Sequence, residues 1–396
     1  MKQVLIIAYY TPPLGMSGVM RITKFAKYLN YLGWKVKILS VKPIAYYHYD
    51  YDLINDLKEI PIFRSESLDP ARILNLFSTK KKLIKIEPNK TSQMLNFLFF
   101  PDSKALWIPF AYRLGCKIIE ESSPDIIFTS APPFSALLVG LKLKERFQIP
   151  LISDFRDPWP TGFVIPPKFI RGKLKKLRDQ IIANSDRVIA VNYQTRENIE
   201  YPKAEVIENG YDPDDFKISA KSFDGFNIVY TGNIWENFDL LKSVIETTLN
   251  IRDIKIRLVG NCDVRTLNEI KKYKNVDYLG VRSHSETIAI MKSASLLLYI
   301  SKPNQAVGLK LYEYLGANKP ILGIAEECNE AMRLIENHGV GLAISCNTQE
   351  ILQAILMAKE NKFPFLPQGV EKYNRINQTK KLSEIMESII KSKTII

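Results

Sequence analysis

Apolar and polar positions along the chain follow two alternating periods. Residues 2–9 form a short apolar run, broken by Thr11-Pro12-Pro13 and then by Gly15 and Gly18. From Gly18 onward Val19, Ile22, Phe25, Leu29 and Leu32 recur at three- and four-residue steps, which predicts an amphipathic helix ended by Gly33 as a C-cap. Residues 36–41 are strand-like again. Strand, glycine-containing loop, helix and strand make a βαβ unit, hence a parallel sheet with a right-handed crossover. The alternation resumes with a strand at 125–129, a helix near 134–147, a strand near 151–154, a helix at about 173–184 and a strand at 187–191. Residues 44–107, rich in Tyr, Phe, Lys and Pro, do not alternate and read as an insertion of short helices and loops. A second series places strands at about 227–231, 255–259, 275–279, 296–300, 319–324 and 341–344, with helical patterns between them. The turn-forming Glu208-Asn209-Gly210-Tyr211-Asp212-Pro213 separates the two series as a hinge. A long helical pattern near 379–390 closes the chain. The pattern predicts an α/β protein of two doubly wound, Rossmann-like domains facing each other across a cleft, with ligand sites at the carboxyl ends of the strands.

Composition narrows the partners more than the fold. The 396 residues are 46% hydrophobic and 24% charged, which excludes a collagen-like, low-complexity or globally disordered chain. No apolar stretch approaches the roughly 18–20 residues that a spanning helix needs. The N-terminus opens straight into a strand-like run with no cleavable signal pattern, so a cytoplasmic location is expected. Cys116, Cys262, Cys328 and Cys346 are widely spaced with no Cys-x-x-Cys pair, and only His48, His284 and His338 are present. A zinc site, a disulfide framework and a multi-histidine metal centre are therefore not expected. The net charge of +13 points to anionic partners. It concentrates in two clusters: Arg72, Lys80, Lys81, Lys82, Lys85 and Lys90, and then Lys168, Arg171, Lys173, Lys175, Lys176 and Arg178.

Candidate chemistry lies where strands hand over to helices. In the second series Tyr230-Thr231-Gly232-Asn233 and Val259-Gly260-Asn261 are glycine turns that let backbone N–H groups approach a phosphate, although such glycines also serve plain strand-to-helix turns. The segment from Gly308 to Leu315 is more telling. Helical spacing turns Leu311 and Leu315 to the core and places Lys310 and Glu313 together near the helix start. A cation there suits a diphosphate and a carboxylate suits a ribose diol; the plain alternative is a solvated ion pair. In the first series Gly15 and Gly18 occupy the loop after the first strand, with Arg21 one turn into the helix. Asp154-Phe155-Arg156-Asp157-Pro158-Trp159 follows another strand, and three charges at a strand end are either chemistry or a salt-bridged loop anchor. Asp212-Pro213-Asp214 and Asp50-Tyr51-Asp52 imitate an Asp-x-Asp metal motif but lie outside strand ends and read as turns.

Taken in order, Pro12-Pro13 with Gly15, Gly18 and Arg21, then Ser130-Ala131-Pro132-Pro133-Phe134-Ser135, the 154–159 segment, Ile207-Glu208-Asn209-Gly210-Tyr211-Asp212, Tyr230-Thr231-Gly232-Asn233 and Lys310-Leu311-Tyr312-Glu313-Tyr314-Leu315 make the sequence similar to bacterial glycosyltransferase family 4. The resemblance runs from about residue 4 to residue 325. It implies the GT-B fold, with an acceptor-binding domain at 1–206 completed by a C-terminal helix at about 375–396, and a donor-binding domain at 213–374. It further implies a nucleotide-sugar donor, retention at the anomeric carbon and no metal or other cofactor. The family's Glu-x7-Glu pair is incomplete: Glu313 matches its second member, and Gln305 stands at the first. The His that many relatives carry near the 154–159 strand end is absent. So is the Arg/Lys pair after the first donor-domain strand, where Asn233-Ile234-Trp235-Glu236 stands instead.

These readings lead to a metal-independent glycosyltransferase of hexosyltransferase type that builds a polysaccharide on a saccharide or polyprenyl-diphosphate-linked acceptor. Donor contacts are expected from Gly15, Gly18, Arg21, Gly232, Asn233, Gly260, Asn261, Gln305, Gly308, Lys310 and Glu313, and catalytic roles from Asp157, Arg156 and Lys310. Retention needs no enzymic nucleophile if the leaving phosphate oxygen takes the acceptor's proton, whereas Asp157 or Asp154 as general base serves an inverting displacement. The basic clusters, interleaved with Leu83, Ile84, Ile86, Phe169 and Leu174, suit the anionic inner face of the cell membrane. Two alternatives compete. A nucleotide-sugar epimerase of the same architecture needs acid/base carboxylates and histidines gathered in the cleft, which three scattered His disfavour. A basic nucleic-acid-binding protein finds no supporting motif, so no nucleic-acid partner is expected.

Overall fold

The structure is a computed structural model describing residues 1–15, 17–44, 49–70, 72–73, 99–159, 168–303 and 307–394. The chain divides into two compact units, Met1–Asn209 with Gln378–Ile396, and Gly210–Asn377.

The first unit is built on seven parallel strands: β1 (Gln3–Ile7), β2 (Lys35–Val41), β3 (Ile62–Ser65), β4 (Ile126–Ala131), β5 (Leu151–Phe155), β6 (Arg187–Ala190) and β7 (Glu205–Val206). Their spatial order is β3-β2-β1-β4-β5-β6-β7. The inner strands are buried on both faces, as the continuous apolar runs of a helix-covered parallel sheet require. The first helix spans Ser17–Tyr31 and buries Val19, Ile22, Phe25 and Leu29. Gly33 follows in the left-handed region (φ +86°), and its N–H and that of Trp34 close back onto the carbonyls of Asn30 and Leu29. The insertion at 44–107 holds a strand the sequence pattern does not announce. β3 pairs with β2 from Ile38↔Ile62 to Val41↔Ser65. It is a four-residue edge strand whose Ile62, Phe63 and Arg64 are all half-buried, so it carries neither alternation nor a continuous apolar run.

The last helix, Arg375–Thr394, belongs with this first unit from Gln378 onward. Leu382, Ile385, Met386 and Ile389 pack into the cluster of Val4, Ile6, Phe25, Val36 and Ile126. Trp34 Nε1 donates to Ser383 Oγ at 2.9 Å, and Lys381 Nζ to the Val206 carbonyl at 2.8 Å.

The second unit has six parallel strands: β8 (Phe226–Thr231), β9 (Ile254–Val259), β10 (Val276–Gly280), β11 (Leu296–Ser301), β12 (Ile321–Ala325) and β13 (Gly341–Ile344). Their order is β10-β9-β8-β11-β12-β13. Counted from β8 this is the 3-2-1-4-5-6 arrangement of a dinucleotide-binding sheet, whose strand order reverses between its first and fourth strands. At that switch point β8 and β11 pair only through Ile228↔Leu296 and Val229↔Leu297. The ladder stops there, short of both carboxyl ends.

Candidate functional site

The break between β8 and β11 is filled by one side chain. Tyr314, on the helix Leu309–Ala317, is fully buried, and its hydroxyl accepts from the Thr231 backbone N–H (3.0 Å) and donates to the Leu298 carbonyl (3.3 Å). Burial pushes this phenol well above its ordinary range, so the hydroxyl keeps its proton. The two strands are thereby held apart at their ends and the helix is fixed against the opening.

Glycines line the opening, and at two of them the backbone calls for glycine. Gly232 follows β8 at φ +122° and Gly260 follows β9 at φ +134°; a Cβ on Gly260 would lie 2.0 Å from the Gly232 carbonyl oxygen. Backbone bonds lace the two turns together: Gly232 N–H to Val259 O, and Ile234 N–H to Asn261 O, both 2.9 Å. Gly308 is the N-cap of the helix Leu309–Ala317; the Leu311 N–H closes onto its carbonyl at 3.1 Å, and among the described residues no side chain caps the helix start, where N–H groups favour an anion. The Gly308 N–H itself donates to Tyr299 Oη at 3.3 Å, and burial raises the Tyr299 phenol to about 12.

Lys310 reaches over the Gly232 turn. Its Nζ donates to Tyr230 Oη at 3.2 Å, lies 4.4 Å from the Tyr230 ring centre and 5.1 Å from that of Tyr299, and stands 3.6 Å from where a Gly232 Cβ would be. Glu313 is half-buried one turn further along, and His284 Nε2 donates to its Oε1 at 3.0 Å. His284 opens the helix His284–Lys292, whose Ser283/Glu286 capping box fixes its start, and its Nδ1 lies 3.9 Å from Asp215 Oδ2. Lys310 and Glu313 thus flank one opening with different partners, not as the solvated ion pair of the plain reading. The Asn233 side chain is exposed and donates to Glu236, and that of Asn261 is exposed beside it. Gln305 lies outside the described residues.

In the first unit the strand ends are braced by charge. Arg21 is 1% exposed; its Nε and Nη2 donate to Asp154 Oδ2 and Oδ1 at 3.1 and 2.8 Å, and its Nη1 to the Glu208 carbonyl at 3.0 Å. Ser130 Oγ adds a 2.7 Å bond to the same carboxylate, which is 0% exposed. Both groups are buried, and the bonds between them tie the first helix to β5. Arg156 donates to the carbonyls of Ala131 (3.1 Å), Pro132 (2.5 Å) and Gly18. These bonds clamp the loops after β4 and β5 to the start of the first helix. Gly18 accordingly serves that clamp, its Cβ position lying 3.2 Å from Arg156 Nη1, while Gly15 is half-buried in the loop before the helix.

Asp157 differs from its neighbours. It is half-buried, accepts no hydrogen bond among the described residues, and burial lifts its carboxyl above the ordinary range against the pull of Arg156. Beside it Phe134 stacks on Trp159 with ring centres 4.3 Å apart. The paired aspartates Asp50/Asp52 and Asp212/Asp214 resolve as turns, in which Asp50 and Asp212 accept from the N–H two residues on at 3.0 Å.

Sequence reasoning missed Tyr230, Tyr299, Tyr314 and His284 as site residues. Tyrosine in a strand or helix looks like core, and His284 is one of only three histidines but carries no motif. Among the basic residues, Arg178 is 1% exposed and paired with Asp179 and Glu200, so it leaves the predicted basic face. The cluster from Lys80 to Lys90 lies outside the described residues.

Residues 20–215 match the family model for Glycosyltransferase Family 4. No curated protein matches the sequence. Among solved structures, a glycosyltransferase from Rickettsia africae superposes with a TM-score of 0.65 at 17% identity, covering 98% of this chain and 99% of its own. Anabaena HepE in complex with UDP-glucose gives 0.63 at 14%, covering 98% and 100%. The UDP-GlcNAc 2-epimerase of Neisseria meningitidis bound to UDP-GlcNAc gives 0.60 at 12%, also covering 98% and 100%. At these identities the likeness is one of fold. Residues 20–215 thus match Glycosyltransferase Family 4, and the chain has the GT-B fold of the glycosyltransferases it superposes on.

Proposed function

We propose that this protein is a retaining hexosyltransferase that takes its sugar from a nucleotide-sugar bound at the carboxyl ends of β8, β9 and β11. The observation that carries the reading is that Lys310 Nζ stands over the Gly232 turn, itself packed on the Gly260 turn, from a helix that starts at Gly308 without a side-chain cap and carries the Glu313 carboxylate one turn on. Glu313 takes the ribose diol, and Lys310 with the helix N–H groups faces the diphosphate. In the reaction the bond from the anomeric carbon to the phosphate oxygen breaks, an acceptor hydroxyl oxygen bonds to that carbon on the same face, and its proton passes to the leaving phosphate. The protein positions both substrates and stabilises the charge that grows on the diphosphate, and such stabilisation is the main source of rate in catalysis of this kind. That charge meets a side-chain ammonium and a helix dipole, so turnover in excess chelator is part of the proposal. HepE, complexed with UDP-glucose, supports a uridine donor as the first to try.

The acceptor is proposed to be a saccharide or a polyprenyl-diphosphate-linked glycan of cell-surface polysaccharide assembly. Phe134 on Trp159 offers an apolar wall beside Asp157 for it. On the helix Lys168–Ala183 the exposed Lys168, Arg171, Lys173 and Lys176 surround Phe169, which is 69% exposed. Such a face suits an anionic membrane surface. No helix among the described residues is long and apolar enough to cross a membrane.

Thermal-shift screening against UDP-, GDP- and other nucleotide sugars is the first test, because a ligand at 100 times its dissociation constant stabilises by about 2.7 kcal/mol. One observation favours a second reading: His284 stands beside Glu313 and near Asp215, an acid/base grouping the sequence did not suggest, and an epimerase shares the fold. Incubating UDP-GlcNAc in D2O without acceptor separates the two. Deuterium at C2 supports the epimerase; its absence, with transfer once an acceptor is added, supports the transferase.

A further inference from the structure

Glu313 is not a bare carboxylate at a helix surface. Its Oε1 accepts from His284 Nε2 at 3.0 Å, both side chains are largely buried, and the other face of the imidazole is turned to Asp215 with 3.9 Å between Nδ1 and Oδ2. A carboxylate only accepts, so the contact places the proton on Nε2. His284 stands at the first position of the helix His284–Lys292, whose start the Ser283/Glu286 capping box fixes. A glutamate has three rotatable bonds that must be frozen before it holds a ligand in one geometry. His284 freezes them in advance, leaving Oε2 and a remaining lone pair of Oε1 for further donors.

Resting on the donor reading above, we propose that His284 is a positioning residue for the ribose. By presetting the Glu313 carboxylate it makes the site select ribonucleoside over 2′-deoxyribonucleoside diphosphates. A ribose presents two adjacent O–H donors that a fixed carboxylate satisfies together, whereas a 2′-deoxyribose leaves part of that capacity unused. Free to swing, the same carboxylate bonds either sugar with little preference, because the ordering cost is then met only on binding.

The test is isothermal titration of the full chain with UDP and 2′-deoxy-UDP, and with the GDP and ADP pairs. Wild type is expected to prefer the ribo form of its nucleotide by roughly tenfold or more. His284→Ala should bring the ratio toward one chiefly by weakening the ribo ligand, leaving the deoxy ligand bound as before, which a general loss of structure does not do. His284→Gln, whose amide still donates to Oε1, should restore the preference and guards against a misfolded alanine variant. If His284→Ala keeps the ratio while Glu313→Gln abolishes it, the role of His284 is overturned and the donor reading stands. If Glu313→Gln also keeps the ratio, the ribose is elsewhere and both fall. Failure of every pair to bind wild type overturns the donor reading and this inference with it.

Discussion

The hydroxyl of Tyr314 accepts a hydrogen bond from the backbone N–H of Thr231, 83 residues earlier in the chain, where the β8–β11 ladder has ended. One phenol thereby stands in for a missing strand pairing and ties the helix that carries Lys310 and Glu313 to the turn that carries Gly232. Tyr314→Phe leaves the Thr231 N–H and the Leu298 carbonyl without this partner in a buried place. Each unsatisfied buried group costs about 1–3 kcal/mol, so a loss of roughly 2–4 kcal/mol in urea unfolding is expected, together with weaker nucleotide binding. A loss under about 0.5 kcal/mol, the size of an ordinary surface change, would contradict this role.

Removing the ammonium of Lys310 tests its part in the reaction. With Lys310→Met the charge proposed to face the diphosphate is gone, and the effect should fall on kcat more than on KM, because the charge grows as the bond breaks. A reduction of about 10²–10³ in kcat is the scale for one such stabilising group. Steady-state kinetics showing an unchanged kcat would place the diphosphate away from Lys310.

Much of this was written plainly in the chain. The apolar runs of β8, β9 and β11 and the helical spacing of Leu311 and Leu315 carry strong periods, so both sheets and the Gly308 turn could be placed from pattern alone. β3 and β7 could not: a four-residue and a two-residue edge strand are shorter than any period can register. Charge was legible only in part. Arg21, Arg156 and Arg178 read as ligand or membrane contacts, yet each is tied within the first unit to a carboxylate or to carbonyl oxygens. Sequence gives the sign of a charge but not the partner that neutralises it. His284 went unnoticed for the converse reason, since its meaning comes only from lying beside Glu313.

Asp157 makes a pH prediction with a definite sign. Burial raises its folded-state carboxyl above the unfolded one, so the folded chain binds the extra proton and stability is lost as pH rises through that interval. Asp157→Asn removes the penalty. The variant should be more stable than wild type at neutral pH, with the difference vanishing as pH falls below the usual carboxylate range. Thermal melts across pH 3–8, a span set by those ordinary values, check it; a constant difference would show that the charge is not the cause. In the same variant, transfer by the retaining route should persist at a reduced rate, whereas a general base would take about 10²–10⁴ of the rate with it.

The exposed face of Lys168, Phe169, Arg171, Lys173 and Lys176 predicts binding to anionic vesicles at low salt. Arg171, Lys173 and Lys176 changed together to Gln should weaken it about 100-fold, at about 1 kcal/mol per cation. Arg178→Gln should not reproduce this effect, since that side chain faces inward. Co-sedimentation with equal recovery on neutral and anionic vesicles would end the idea.

The most direct test of the account is isothermal titration of the cognate nucleoside diphosphate into wild type and a folded Glu313→Gln variant. The Glu313 carboxylate is half-buried at the Gly308 turn with one oxygen already oriented by His284, and charge-assisted bonds to a ribose diol are roughly twice as strong as neutral ones. The account predicts an affinity at least about tenfold weaker in the variant, equivalent to about 1.4 kcal/mol, with an unfolding midpoint close to wild type. Equal affinity in the two proteins would place the nucleotide elsewhere and contradict the central claim.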